Sequence, residues 1–257
     1  MAEAAASHDY HVLAFPHPER HDEVSIYRDM VASGRVDGFI LPNTNLDDRR
    51  IRYLLDVGFP FVAFGRSNPE LDFPWVDVDG AHGVKQAVLH LLELGHRRIA
   101  CLAWTEPSLT GQHRLEGYLG TMAGADLAVD SEWVVRVEYN YSNTYEATQR
   151  WLALPPDRRP TAVVALSDLM AIGVMNAVAD AGLRVGPDVA VVGFDDAPIA
   201  GYLRPPLTSL RQPIAEVAER MVTMLIDLVG GETPSPRQVL LKAKLVVRDS
   251  TALSART

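Results

Sequence analysis

Short apolar runs with strand character alternate along this chain with runs of helical periodicity, and that alternation restricts the fold more than any other feature. Parallel strands need long crossovers, usually helices, so the pattern predicts an α/β fold of parallel sheets with helices on both faces. Strand character falls at His11–Phe15, Gly38–Leu41, Pro60–Phe64, Trp75–Val78, Arg98–Ala103, Trp133–Val137, Thr161–Leu166, Val189–Val192, Gln238–Leu241 and Lys244–Val247. Helical spacing falls at Asp22–Ser33, Asn45–Val57, Ala81–Leu94, Thr110–Ala123, Thr144–Leu154, Asp168–Ala181 and Ile214–Val229. These are too many strands for one small sheet. Two helix ends are punctuated: Gly95, with His96, Arg97 and Arg98 just past it, closes one, and Gly182 closes another.

With 257 residues, 47% hydrophobic and 22% charged, the chain has material for one large domain or two small ones. A net charge of -9 opposes nucleic-acid binding by this chain itself, since affinity for phosphate comes from clustered Lys and Arg. Any DNA-binding module is expected elsewhere. The single cysteine, Cys101, sits in the apolar run Ile99–Leu102 and reads as a core residue of a reducing compartment. No apolar stretch reaches the roughly 20 residues of a membrane span, and no basic-then-apolar signal opens the chain. A cytoplasmic protein without a membrane partner is the expectation.

The stretch VGFDDAPIAGYLRPPLTSLRQP, residues 192–213, carries the first chemical clue. Asp195 and Asp196 follow a strand directly, at the carboxyl edge where open α/β sheets hold ligands. Asp195 reads as a ligand contact, and Asp196 reads equally as a cap on backbone N–H groups of the turn. Pro198, Pro205 and Pro206 exclude helix from the segment that follows. Ser167 and Asp168 occupy the end of another strand and the start of a helix, so each is a helix cap or a ligand contact. Arg114 is either a solvated helix residue or a planar fork for hydroxyls or a carboxylate. Enzyme motifs are missing: there is no Gly-Lys-Ser phosphate loop, Gly-x-Ser-x-Gly elbow or zinc-protease pair. His8, His11, His17 and His21 are scattered, and Asp77 and Asp79 share a strand face without an activated partner. A binding protein with no cofactor, no metal and no catalytic residue fits better than an enzyme.

DVDGAHGVKQAVLHLLELGHRRIACL (77–102), RLEG (114–117), ALSDLMAIGVMNAVADAGLRVGPDVAVVGFDD (165–196), PPLTSLRQP (205–213) and LVVRDST (245–251) together resemble the effector-binding region of LacI/GalR-type transcriptional regulators. The resemblance implies a type I periplasmic-binding-protein-like fold of two doubly wound subdomains joined by three crossovers. It places residues 1–76 and 212–240 in the N-terminal subdomain, and 77–211 and 241–257 in the C-terminal one. It implies a small effector, a sugar or a nucleoside-like molecule, held in a cleft by Asp195, Arg114, Ser167 and an aromatic residue at Tyr139, with Tyr141 as the neighbouring alternative. It also implies a homodimer, with operator DNA read by an N-terminal helix-turn-helix that this sequence does not contain. The family's first strand and most of its first helix are likewise missing, so the N-terminal sheet is expected to lack a member. A periplasmic sugar-binding protein of an importer shares the architecture, but is not expected to carry GHRRIA and LVVRDST.

Overall fold

The computed structural model describes residues 1–15, 23–105, 108–138 and 140–252. The chain divides into two compact units, Met1–Val78 with Pro213–Leu241, and Asp79–Gln212 with Lys242–Thr257.

In the first unit, strands β1 (Phe39–Leu41), β2 (Phe61–Phe64), β3 (Trp75–Asp79) and β9 (Gln238–Lys242) lie in the order β1-β2-β3-β9. β1, β2 and β3 are parallel, with Phe39 opposite Phe61 and Ala63 opposite Trp75. Its helices are α1 (Ala2–Ala6), α2 (Ser25–Ser33), α3 (Arg49–Asp56) and α8 (Ile214–Val229). The core gathers Leu41, Ile51, Leu54, Ala63 and Phe73 with Tyr27, Phe39 and Phe61.

Three differences from the sequence expectation arise in this unit. His11–Phe15 is not a strand: among the described residues no strand pairs with it, and Val12 and Leu13 are 52% and 55% exposed. Phe15 still packs edge-on against Tyr27, with centroids 5.6 Å apart. The helix expected from Asn45 begins only at Arg49, because Asn43 and Asp47 turn the chain at φ 51° and 56° and Asp48 caps the helix through the Arg50 N–H. The helix expected from Asp22 begins at Ser25, and Asp22 itself lies outside the described residues.

The second unit is built on strands β4 (Ile99–Trp104), β5 (Val134–Val137), β6 (Ala162–Ala165), β7 (Ala190–Asp195), β8 (Thr208–Arg211) and β10 (Lys244–Val246). Their order is β10-β8-β7-β6-β4-β5, parallel throughout except for β10, which runs antiparallel to β8. Helices α4 (Gly80–Glu93), α5 (Leu109–Gly124), α6 (Tyr141–Leu152) and α7 (Asp168–Asp180) belong to it. The continuous apolar runs of β4, β6 and β7 are buried along nearly their whole length, as strands covered on both faces must be. Cys101 is fully buried in β4, which pushes its thiol pKa up. Here α6 starts at Tyr141 rather than Thr144, because the Asn140 side chain caps it through the Asn143 N–H at 2.9 Å. The proline-rich segment holds a short 3-10 turn, Pro198–Tyr202, with Pro198 in the first position, where its missing N–H is no loss.

The chain runs from β4 to β5 on one side and then to β6 on the other side of β4. The winding therefore reverses between β4 and β6, and in open α/β sheets ligands bind at the carboxyl ends of strands beside such a reversal.

Helix α5 reaches this place in a fixed register. Tyr118 is fully buried and donates to the Ile99 carbonyl at 2.8 Å. A Cβ at Gly117 would fall onto the Ala81 backbone carbonyl, which cannot swing aside. Gly117→Ala should therefore destabilise the chain by about 1–3 kcal/mol, seen as a lower urea midpoint. Gly120→Ala, on the same helix but facing open space, should leave it unchanged or raise it.

Candidate functional site

Arg114 projects from α5 to the reversal point and is only 4% exposed. A buried guanidinium needs partners on its edge and its faces. Nη1 donates to the Leu166 carbonyl, at the end of β6, at 2.6 Å. The guanidinium carbon lies 3.5 Å from the centroid of the Phe194 ring and 4.8 Å from that of Trp104. The helix start at Gly80 makes room for the arginine's stem, since a Cβ there would sit 2.7 Å from Arg114 Cγ.

Asp195 closes β7 beside this arginine. Its Oδ1 lies 3.8 Å from Arg114 Nη1, close enough for attraction and too far for a hydrogen bond. Gln212 Nε2 donates to the same oxygen at 2.7 Å. The Asp195 side chain is 31% exposed, so solvent and solutes reach it. Burial raises its pKa, while Arg114, Gln212 and the Asp168 backbone N–H pull the other way.

Asp196 is neither a turn cap nor a free ligand. Arg211 Nε and Arg248 Nη1 hold its carboxylate at 2.6 and 2.7 Å, and its side chain is nearly buried. Burial alone pushes its pKa up, but Arg248 and Arg211 together bring it below the usual range. The sequence reading of a cap fails because those arginines come from β8 and from the C-terminal segment.

Ser167 is fully buried and caps α7, accepting from the Met170 N–H at 3.2 Å. Asp168 is also buried; its Oδ1 accepts from Ser209 Oγ at 2.5 Å and its Oδ2 from the Ala197 N–H at 2.7 Å. Burial, helped by the charges of Asp195 and Asp196, raises its pKa to about 6 against the opposing hydrogen bonds.

Tyr139 lies outside the described residues. Tyr141, 38% exposed at the start of α6, accepts from Asn176 Nδ2 at 3.0 Å and stacks on Tyr145. Asp77 accepts from Arg66 Nε at 2.7 Å, and Asp79 caps α4 through the His82 N–H. His17 and His21 are likewise outside the described residues, among which no three His, Cys, Asp or Glu side chains converge as metal ligands. No described helix is long and apolar enough to cross a membrane.

The structure thus brings Arg114, Asp195, Asp168 and Ser167 to one sheet edge and adds Ser209, Gln212 and Trp104, which sequence reasoning missed. Trp104 ends the apolar run of β4, a visible signal, and its Nε1 donates to Met170 Sδ at 3.1 Å. Ser209 and Gln212 carried no comparable signal.

Comparison with known proteins adds a family to this geometry. A family profile described as "Periplasmic binding protein-like domain" matches residues 88–251. The HTH-type transcriptional repressor CytR of Escherichia coli (strain K12) is 30% identical over 96% of this chain and 72% of its own length. A regulatory protein of the LacI family from Chloroflexus aggregans superposes with a TM-score of 0.92 at 47% identity, covering 97% of this chain and 89% of that one. The chain belongs to the LacI family of transcriptional regulators. The HTH-type transcriptional regulator CelR of Thermobifida fusca is 36% identical over 86% of this chain, which spans 65% of that protein's length. A CelR–cellobiose complex superposes with a TM-score of 0.87 at 33% identity, covering 97% of this chain and 76% of that one. These LacI-family relatives are regulators rather than enzymes.

The raised pKa of Asp168 has a stability consequence of definite sign. A carboxyl whose folded value, about 6, exceeds its ordinary 3.8 favours folding most below pH 3.8 and loses that contribution as pH rises through 6. Relative to Asp168→Asn, the wild-type protein should therefore lose about 2 kcal/mol of stability between pH 4 and pH 7. Parallel urea titrations of the two proteins check this.

Proposed function

We propose that this chain is the effector-sensing region of a LacI-type regulator and binds a small sugar at the carboxyl edge of the second unit's sheet. The observation that carries the reading is Arg114, buried and clamped where the winding reverses, beside the reachable carboxylate of Asp195. A sugar hydroxyl both donates and accepts, so a carboxylate and a guanidinium a few ångströms apart match one hydroxyl or a vicinal pair. The half-buried indole of Trp104 adds an aromatic surface suited to the apolar face of a pyranose. The relative solved with cellobiose favours a sugar over a nucleoside.

In this reading the unit holding β1–β3 is the N-terminal effector-binding subdomain and the unit holding β4–β8 the C-terminal one. Asp195 and Arg114 contact the effector, Ser167 serves by capping α7, and Tyr139 contributes an aromatic face. Effector binding alters operator affinity through a helix-turn-helix, the element for which the relatives are named, in a cytoplasmic homodimer. No catalytic step is involved.

Calorimetry with cellobiose, then with other mono- and disaccharides and with nucleosides, tests the ligand class. Asp195→Ala and Arg114→Lys should each weaken the best ligand by about 10- to 150-fold, the worth of a hydrogen bond to a charged group, with unchanged circular dichroism. Wild-type affinity in both variants would discard the site, and binding of nucleosides alone would discard the sugar.

A further inference from the structure

Strand β7 leaves its sheet through two consecutive non-glycine residues in the left-handed region, Asp195 at φ 116° and Asp196 at φ 51°. L-residues with side chains disfavour that region, so neighbouring contacts must hold the turn in place. Those contacts converge on one carboxylate. Asp168 Oδ2 accepts the Ala197 N–H directly at 2.7 Å. Its Oδ1 accepts the Ser209 hydroxyl at 2.5 Å, and Ser209 Oγ in turn accepts the Asp196 N–H at 3.0 Å. The backbone N–H of Asp168 also favours the ionised form of the Asp195 carboxylate. Gly193 supplies the space, since a Cβ there would collide with Asp168 Oδ1.

The direction of these bonds depends on ionisation. A serine hydroxyl has one proton, and giving it to Asp168 leaves the Ser209 lone pairs facing the Asp196 N–H. A protonated Asp168 carries a donor on one of its two oxygens, so either the Ser209 hydroxyl or the Ala197 N–H loses its acceptor.

We propose that Asp168 is a positioning residue for the effector site: its ionised carboxylate holds the 195–197 turn, sets the direction of Asp195, and thereby makes effector affinity depend on its own protonation. The proposal rests on the reading of Asp195 as an effector contact. The charged groups packed around it are Asp195 and Asp196 from β7, Arg211 from β8 and Arg248 from the C-terminal segment, both on Asp196, and Arg114 from α5 beside Asp195. Burial places the protonation near pH 6, within reach of experiment.

The test has a ligand-free arm and a ligand arm. In the unliganded chain, the amide 15N and 1H resonances of Asp196 and Ala197 should titrate together near pH 6 and become flat in Asp168→Asn. In Ser209→Ala, which keeps the carboxylate, Ala197 should titrate without Asp196. Resonances that do not move, or that move equally in Asp168→Asn, overturn the proposal by assigning the proton elsewhere. For cellobiose, or the panel sugar that binds best, wild-type affinity should be about 10-fold weaker at pH 5 than at pH 7.5, the fraction of ionised Asp168 setting the competent population. Asp168→Asn should bind weakly with no such dependence. A wild-type pH profile in that variant overturns the proposal. Amides that follow Asp168 while no sugar binds at any pH support its hold on the turn and overturn the sugar assignment alone.

Discussion

The candidate site depends on one interaction, the enclosure of the Arg114 guanidinium against Phe194 and Trp104 with its edge on the Leu166 carbonyl. It joins α5 to the ends of β4, β6 and β7. An isolated buried cation is strongly disfavoured, so the arginine holds its place because aromatic faces, a carbonyl and a nearby carboxylate replace the water it gave up. Once it is fixed, the geometry of the sheet edge follows.

Three aspartates at that edge show how position differentiates one residue type. Asp196 is neutralised by two arginines and acts as a structural tie between β8 and the C-terminal segment. Asp195 keeps a partial charge partner and an open side, which is the condition for meeting a solute. Asp168 is shut away with neutral donors only, so its ionisation works against folding at neutral pH. A charge kept at such a cost is consistent with a role in holding its neighbours.

Much of this was legible in the sequence. The continuous apolar runs of β4, β6 and β7 announce buried parallel strands, and the glycines at 95 and 182 do sit in the left-handed conformation that ends a helix. Asp195 and Arg114 could be singled out from strand-end logic and family resemblance. What could not be read depends on partners distant along the chain. Asp168 meets Ser209 across 41 residues, and the fate of Asp196 is decided by Arg211 and Arg248. His11–Phe15 misled for the opposite reason: its local pattern is that of a strand, but strand formation needs a backbone to pair with, and none of the described strands pairs with it.

The close passage of Gly117 over Ala81 has a mechanical meaning. One turn earlier on α5, Arg114 passes over Gly80 just as closely, so the two helices are keyed at adjacent residues of α4. Packed at such close points, α5 is held in one register on α4. The first turn of α4 begins where the chain crosses between the two units, at Val78 and Asp79. The register that fixes the guanidinium is therefore set directly beside the crossing segment.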